Sequence, residues 1–77
     1  MKIEIFGTGC PKCGKTYEIM KAAVEGSGRD DVEIVKVQKI ADITARGIMM
    51  TPAVMVDGGL KVTGRIPTAG EAAGWLK

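Results

Sequence analysis

The chain predicts an α/β fold built on a small mixed sheet, and three observations carry that prediction. Polar and apolar residues alternate over Lys2 to Phe6, a helical face follows at once, and a β-branched run, Val32 to Val37, comes next. A helical crossover between two strands implies parallel, right-handed pairing. Further on, the apolar Ala53-Val54-Met55-Val56 meets Asp57-Gly58-Gly59 and returns as Leu60-Lys61-Val62, the pattern of an antiparallel hairpin. The expected order is β-α-β-α-β-β-α, a four-stranded sheet flanked by three helices, in a single domain over residues 1–77.

Each element has its own grounds. Ile3 and Ile5 fall on one side of the first strand and Glu4 on the other, which predicts a half-covered strand. Gly7-Thr8-Gly9 frees the backbone for a sharp turn. Pro11 suits the first helical position, where its missing N–H is not needed, so Cys10 is expected at the N-cap. Cys13, Tyr17, Met20 and Val24 then recur on one helical face, and Gly26-Ser27-Gly28 ends the helix. Ile40 and Ile43 mark a short helix stopping at Gly47. The all-apolar third run reads as a central strand and its hairpin partner as an edge strand. Thr68 with Glu71 forms a capping box, and Ala69, Ala72, Ala73 and Leu76 share a face of the last helix, which Gly70 and Gly74 weaken.

Composition narrows the function. Hydrophobic residues make up 45% of the chain, enough for one compact core. The net charge of +2 comes from 11 basic and 9 acidic residues, interspersed rather than clustered, which argues against a nucleic-acid surface. No apolar run approaches the roughly 20 residues of a membrane span. Met-Lys-Ile-Glu-Ile-Phe carries an acid inside its apolar stretch, so it reads as a strand rather than a signal peptide. The expected location is therefore the cytoplasm. In that reducing compartment a Cys-x-x-Cys pair is catalytic or metal-binding more often than structural. The chain has no histidine, so imidazole serves neither as base nor as ligand.

Both cysteines lie in Cys10-Pro11-Lys12-Cys13, between the first strand and the first helix. As a staple the pair is poor, closing a loop worth only about 2 kcal/mol. As a dithiol it suits exchange with other disulfides. Thiolate is the attacking species, and at an N-cap the Cys10 sulfur faces free backbone N–H groups and the positive end of the helix. Lys12 and Lys15 add positive charge, although Lys12 reads equally well as a solvated turn residue. Tyr17 and Trp75 are read as packing, as are Met49 and Met50, although methionines near a dithiol also suit an adaptable partner surface; Arg65 is read as a surface charge.

Taken with Thr51-Pro52 at the entry to the third strand, the motif and element order resemble the thioredoxin fold in its minimal, glutaredoxin-sized form. The resemblance covers the whole chain and is closest in kind to the small redox-active disulfide proteins of archaea and anaerobic bacteria. It implies that Cys10 is the exposed nucleophile and Cys13 the resolving thiol, with Pro11 and Lys12 completing the motif. It implies a cis Thr51–Pro52 bond that leaves the Thr51 backbone free for a substrate strand, with Gly64 on the same substrate-binding surface. No cofactor or metal is implied. The implied partners are disulfide-bearing proteins and an upstream reductase, of the thioredoxin-reductase type more than glutathione, serving a monomer. Departures from the family pattern are Gly9 where thioredoxins have Trp, Pro-Lys where they have Gly-Pro, and no acid on the Ile3/Ile5 side to accept a proton. Gly64-Arg65-Ile66-Pro67 stands where glutaredoxins place Gly-Gly and an acid for glutathione.

Two rivals stay open. Gly9 to Thr16 also fits the nucleotide-loop pattern G-x-x-x-x-G-K-[ST], with Asp57 imitating a magnesium-binding acid after an apolar strand. Pro11 counts against it, because it removes one of the N–H donors that cradle phosphate. The other rival is a soft-metal carrier using the same two thiolates.

Overall fold

The structure is a computed structural model that describes residues 1–9 and 11–76. Strands β1 (Lys2–Phe6), β2 (Glu33–Val37), β3 (Ala53–Val56) and β4 (Gly59–Thr63) alternate with helices α1 (Pro11–Ser27), α2 (Ile40–Ala45) and α3 (Ala69–Trp75) in the expected order. The sheet order is β2-β1-β3-β4. β1 runs parallel to β2 and antiparallel to β3, and β3 and β4 form the antiparallel hairpin. This is the α/β architecture with three helices and a mixed four-stranded sheet that the sequence predicts.

The sheet is covered on both faces. Ile3, Ile5, Val54 and Val56 meet Met20 of α1 and Ala72 and Leu76 at α3 on one face. Phe6 and Ala53 meet Ile43 of α2 and Ile48 on the other. The expectation of a half-covered first strand is therefore corrected: Ile3, Glu4, Ile5 and Phe6 are all buried. Alternation misled because the polar member of the strand is buried as an ion pair. Arg46, capping the C-terminus of α2, brings two guanidinium nitrogens to 2.9 Å from the two Glu4 carboxylate oxygens. A carboxylate tolerates burial when it is held in this bidentate way. The same guanidinium lies 6.0 Å from the centre of the Phe6 ring.

Helix faces are also slightly rotated from expectation. In α1 the buried residues are Cys13, Thr16 and Met20, and Tyr17 and Val24 flank them half-buried. Thr16 was missed because a hydroxyl looks misplaced in a core. Its Oγ1 donates to the Lys12 carbonyl at 2.9 Å, which satisfies it within the helix. Around α3, Ala72 and Leu76 are buried but Ala69 and Ala73 are exposed, and Trp75 packs on the core in their place. The capping box is formed: the Glu71 N–H donates to Thr68 Oγ1 at 3.1 Å, and the Thr68 N–H donates to Glu71 Oε1 at 3.0 Å.

Candidate redox site

The site is built at the end of β1, where the chain turns into α1. Gly7 is buried, and its N–H donates to the Val37 carbonyl at 3.0 Å, extending the parallel ladder. A Cβ at Gly7 would lie 2.7 Å from the Cys13 Cβ and closer still to its sulfur. The need for glycine at position 7 is thus room for Cys13, whereas Gly9, with φ of +92°, supplies the turn. Cys13 is 7% exposed and its sulfur is disulfide-bonded. Pro11 opens α1, and Pro11 and Lys12 are both exposed. The expectations for Cys10, as N-cap and exposed nucleophile, lie outside the described residues.

The third-strand entry comes to the same end of the sheet. Phe6 faces Ala53 across the β1–β3 pair, so Gly7 and Pro52 are the next residues along the two chains. The Thr51–Pro52 bond is cis and Pro52 is fully buried. The Gly64 N–H donates to the Pro52 carbonyl at 2.9 Å, and Thr63 Oγ1 donates to the Met50 carbonyl at the same distance. Gly64 has φ of +79°, and a Cβ there would meet the Met50 methyl group at 3.2 Å. Thr51, Pro52 and Gly64 are therefore one cluster. Among the described residues, no hydrogen bond occupies the Thr51 backbone N–H or carbonyl.

Of the two readings of Met49 and Met50, packing is corrected, and exposure at the surface fits the other. Met49 is 96% exposed and Met50 62% exposed. The connection between α2 and β3 carries them outward while Ile48 turns in. Met49 lines an apolar groove of about 340 Å³ with Thr8, Ile40, Ile43, Ile48 and Thr51.

A second cleft, about 220 Å³, opens onto Cys13 from the β2 side, between Gly7, Tyr17, Lys36 and Gln38. The Lys36 Nζ stands 4.0 Å from the centre of the Tyr17 ring. Sequence reasoning passed over Lys36. Its signal was parity: it shares a strand face with Ile34, which packs on the α1 side of the sheet.

Arg65 is more than a surface charge, since two of its nitrogens hold the Glu71 carboxylate at 2.8 and 2.7 Å. That bond, and the capping N–H of Thr68, hold the Glu71 pKa down at about 2. Arg29 likewise holds Asp31 at about 2 and donates to the Leu76 carbonyl at 3.1 Å, tying the connection between α1 and β2 to the end of α3.

The nucleotide-loop rival fails on geometry. The Thr16 hydroxyl is buried and committed to Lys12. Asp57 accepts from the Lys2 N–H at 2.8 Å at the opposite end of the sheet. Among the described residues no group of three or more acidic, cysteine or histidine side chains gathers for a metal.

The profile of the thioredoxin domain matches residues 1–77. The chain belongs to the thioredoxin family. This thioredoxin domain is 48% identical over 75 residues to a thioredoxin of Methanocaldococcus jannaschii, covering 97% of this chain and 85% of that one. It is 37% identical over 71 residues to a thioredoxin of Methanothermobacter thermautotrophicus, covering 92% and 91%. The family is one of thiol–disulfide oxidoreductases that need no bound cofactor, since the electrons reside on paired sulfurs. Among the described residues of this thioredoxin domain, no helix is long and apolar enough to cross a membrane.

Proposed function

We propose that residues 1–77 act as a single-domain dithiol–disulfide oxidoreductase that reduces disulfides in other proteins through Cys10 and Cys13. The observation that carries this reading is a buried, disulfide-bonded Cys13 seated against Gly7 in the first turn of α1. In the reduced protein Cys10 is the nucleophile, favoured as thiolate by the helix N-terminus that Pro11 opens and by Lys12 and Lys15. It attacks a substrate disulfide, forming a mixed disulfide and expelling one substrate thiolate. Cys13 then attacks Cys10: the Cys10–Cys13 bond forms, the bond to substrate breaks, and the second substrate sulfur leaves with the electron pair. The substrate gains two electrons and the protein becomes a disulfide.

Thr51, beside Pro52 and Gly64, offers its backbone to an extended substrate segment. An upstream reductase of the thioredoxin-reductase type regenerates the dithiol, glutathione being the lesser donor. The setting is a reducing cytoplasm and the acting form a monomer. The test is trapping: Cys13→Ser accumulates a mixed disulfide with an oxidised protein substrate, while Cys10→Ser forms none. Adducts at Cys13 in the Cys10→Ser protein, formed at the wild-type rate, reverse the roles. Tight copper(I) binding without reversible cycling in a dithiol redox buffer replaces this reading with the metal carrier.

A further inference from the structure

Resolution requires Cys13 to lose a proton inside the fold, and the described residues place no acid beside it to take that proton. Glu4, the buried carboxylate of β1, projects from the opposite face of the sheet and is held there by both Arg46 nitrogens. Tyr17 comes from α1 and Gln38 follows β2; Lys12, Lys15 and Lys36 are all exposed, but of the three Lys36 alone lines the cleft. Among the described residues, the charge on the walls of the Cys13 cleft is that of Lys36. Its position is set from two sides. β2 pairs in register with β1, Lys36 opposite Ile5, and the Tyr17 ring, one helical turn beyond Cys13, receives the ammonium 4.0 Å above its centre.

We propose that Lys36 is a positioning residue for the exchange, holding positive charge at the mouth of the Cys13 cleft so that the Cys13 thiolate forms when a mixed disulfide must be resolved. The inference rests on the proposed dithiol–disulfide reading and deepens it. The proton leaves Cys13 for water, which the cleft admits, and Lys36 stabilises the anion left behind without itself exchanging a proton. Tyr17 is the platform that keeps the ammonium over the cleft. A cation then serves where the described residues of the cleft offer no carboxylate acceptor.

The experiment uses the full chain. In a Cys10→Ser background, the Cys13 thiolate is followed by its ultraviolet absorbance and by alkylation rate against pH, with Lys36, Lys36→Met or Lys36→Arg. A unit charge across a partly wet cleft is worth about 0.5–1 pH unit, so Lys36→Met raises the Cys13 pKa by about that much and Lys36→Arg restores most of it. With both cysteines present, Lys36→Met slows release from a preformed mixed disulfide by about three- to tenfold at neutral pH. The difference shrinks as salt rises toward 1 M, where charges are screened within about 3 Å. Lys61→Met, on the exposed edge strand β4, changes nothing. Equal Cys13 pKa values in the Lys36, Met and Arg proteins overturn the proposal, as does an equal rise in Met and Arg, which marks a structural role. If the wild-type protein forms no mixed disulfide at all, the dithiol reading itself falls, an outcome separate from either.

Discussion

Gly7→Ala and Gly14→Ala each add one methyl group near Cys13, and the structure assigns them opposite signs. At Gly14, within α1, a Cβ meets nothing within 4 Å. Alanine there gains about 0.5–1 kcal/mol from lost unfolded-state freedom and better helix propensity. At Gly7 the new methyl would lie 2.7 Å from the Cys13 Cβ, far inside ordinary contact, and closer to the sulfur. Cys13 stands in the first turn of α1 with little freedom to move away. Overpacking of this kind costs about 1–3 kcal/mol. So close an approach falls in the upper part of that range, about 2–3 kcal/mol, and the entropic gain of about 0.4–1 kcal/mol offsets part of it, leaving a net loss of about 1–2 kcal/mol. A chain of 77 residues has roughly 4–12 kcal/mol of stability in all, so the change is large. It corresponds to a melting temperature lower by roughly 4–16 °C. Thermal and urea unfolding of the oxidised proteins, followed by circular dichroism, measures both variants. The reasoning is refuted if Gly7→Ala is as stable as wild type, or if Gly14→Ala falls equally far.

Arg46→Met strands the Glu4 carboxylate, whose side chain is 7% exposed. A loss of about 2 kcal/mol is expected, below the range for fully buried pairs because Arg46 itself is 46% exposed. Adding Glu4→Met recovers part of it, and strictly additive losses in urea unfolding refute the buried-pair account. Acid acts elsewhere. Asp31 and Glu71 have folded pKa values of about 2, lowered by Arg29 and Arg65. Their contribution is present above the ordinary carboxylate range near pH 4 and is lost as pH falls toward 2. Arg29→Met with Arg65→Met flattens that decline in melts recorded from pH 7 to pH 2.

The order of elements was legible because each boundary has its own chemistry. Pro11 at the first turn, Thr68 with Glu71, and Asp57-Gly58 at the hairpin each act locally, and local physics needs no knowledge of the rest of the chain. Burial of polar residues was not legible. Glu4 and Thr16 are inside because Arg46 and the Lys12 carbonyl reach them, and one of those partners is 42 positions away. Gly7 was read as a turn residue because a sequence shows a missing side chain without showing which atom fills the space. The exposed methionines are ambiguous for the opposite reason: apolar character suits a core and an adaptable surface alike, and only the connection into β3, which carries them outward, decides between the two. Lys36 was hidden because it counts toward Cys13 only once β2 lies beside β1.

The hairpin turn at Asp57 and Gly58 has a practical consequence. Asp57 is pinned to the Lys2 N–H at the pole of the sheet remote from Cys13, separated from it by the length of β1, roughly 14 Å. Gly58 is exposed there with φ of +82°. A fluorophore or surface tether attached at this turn would report encounters at the sulfur pole while leaving that pole unobstructed.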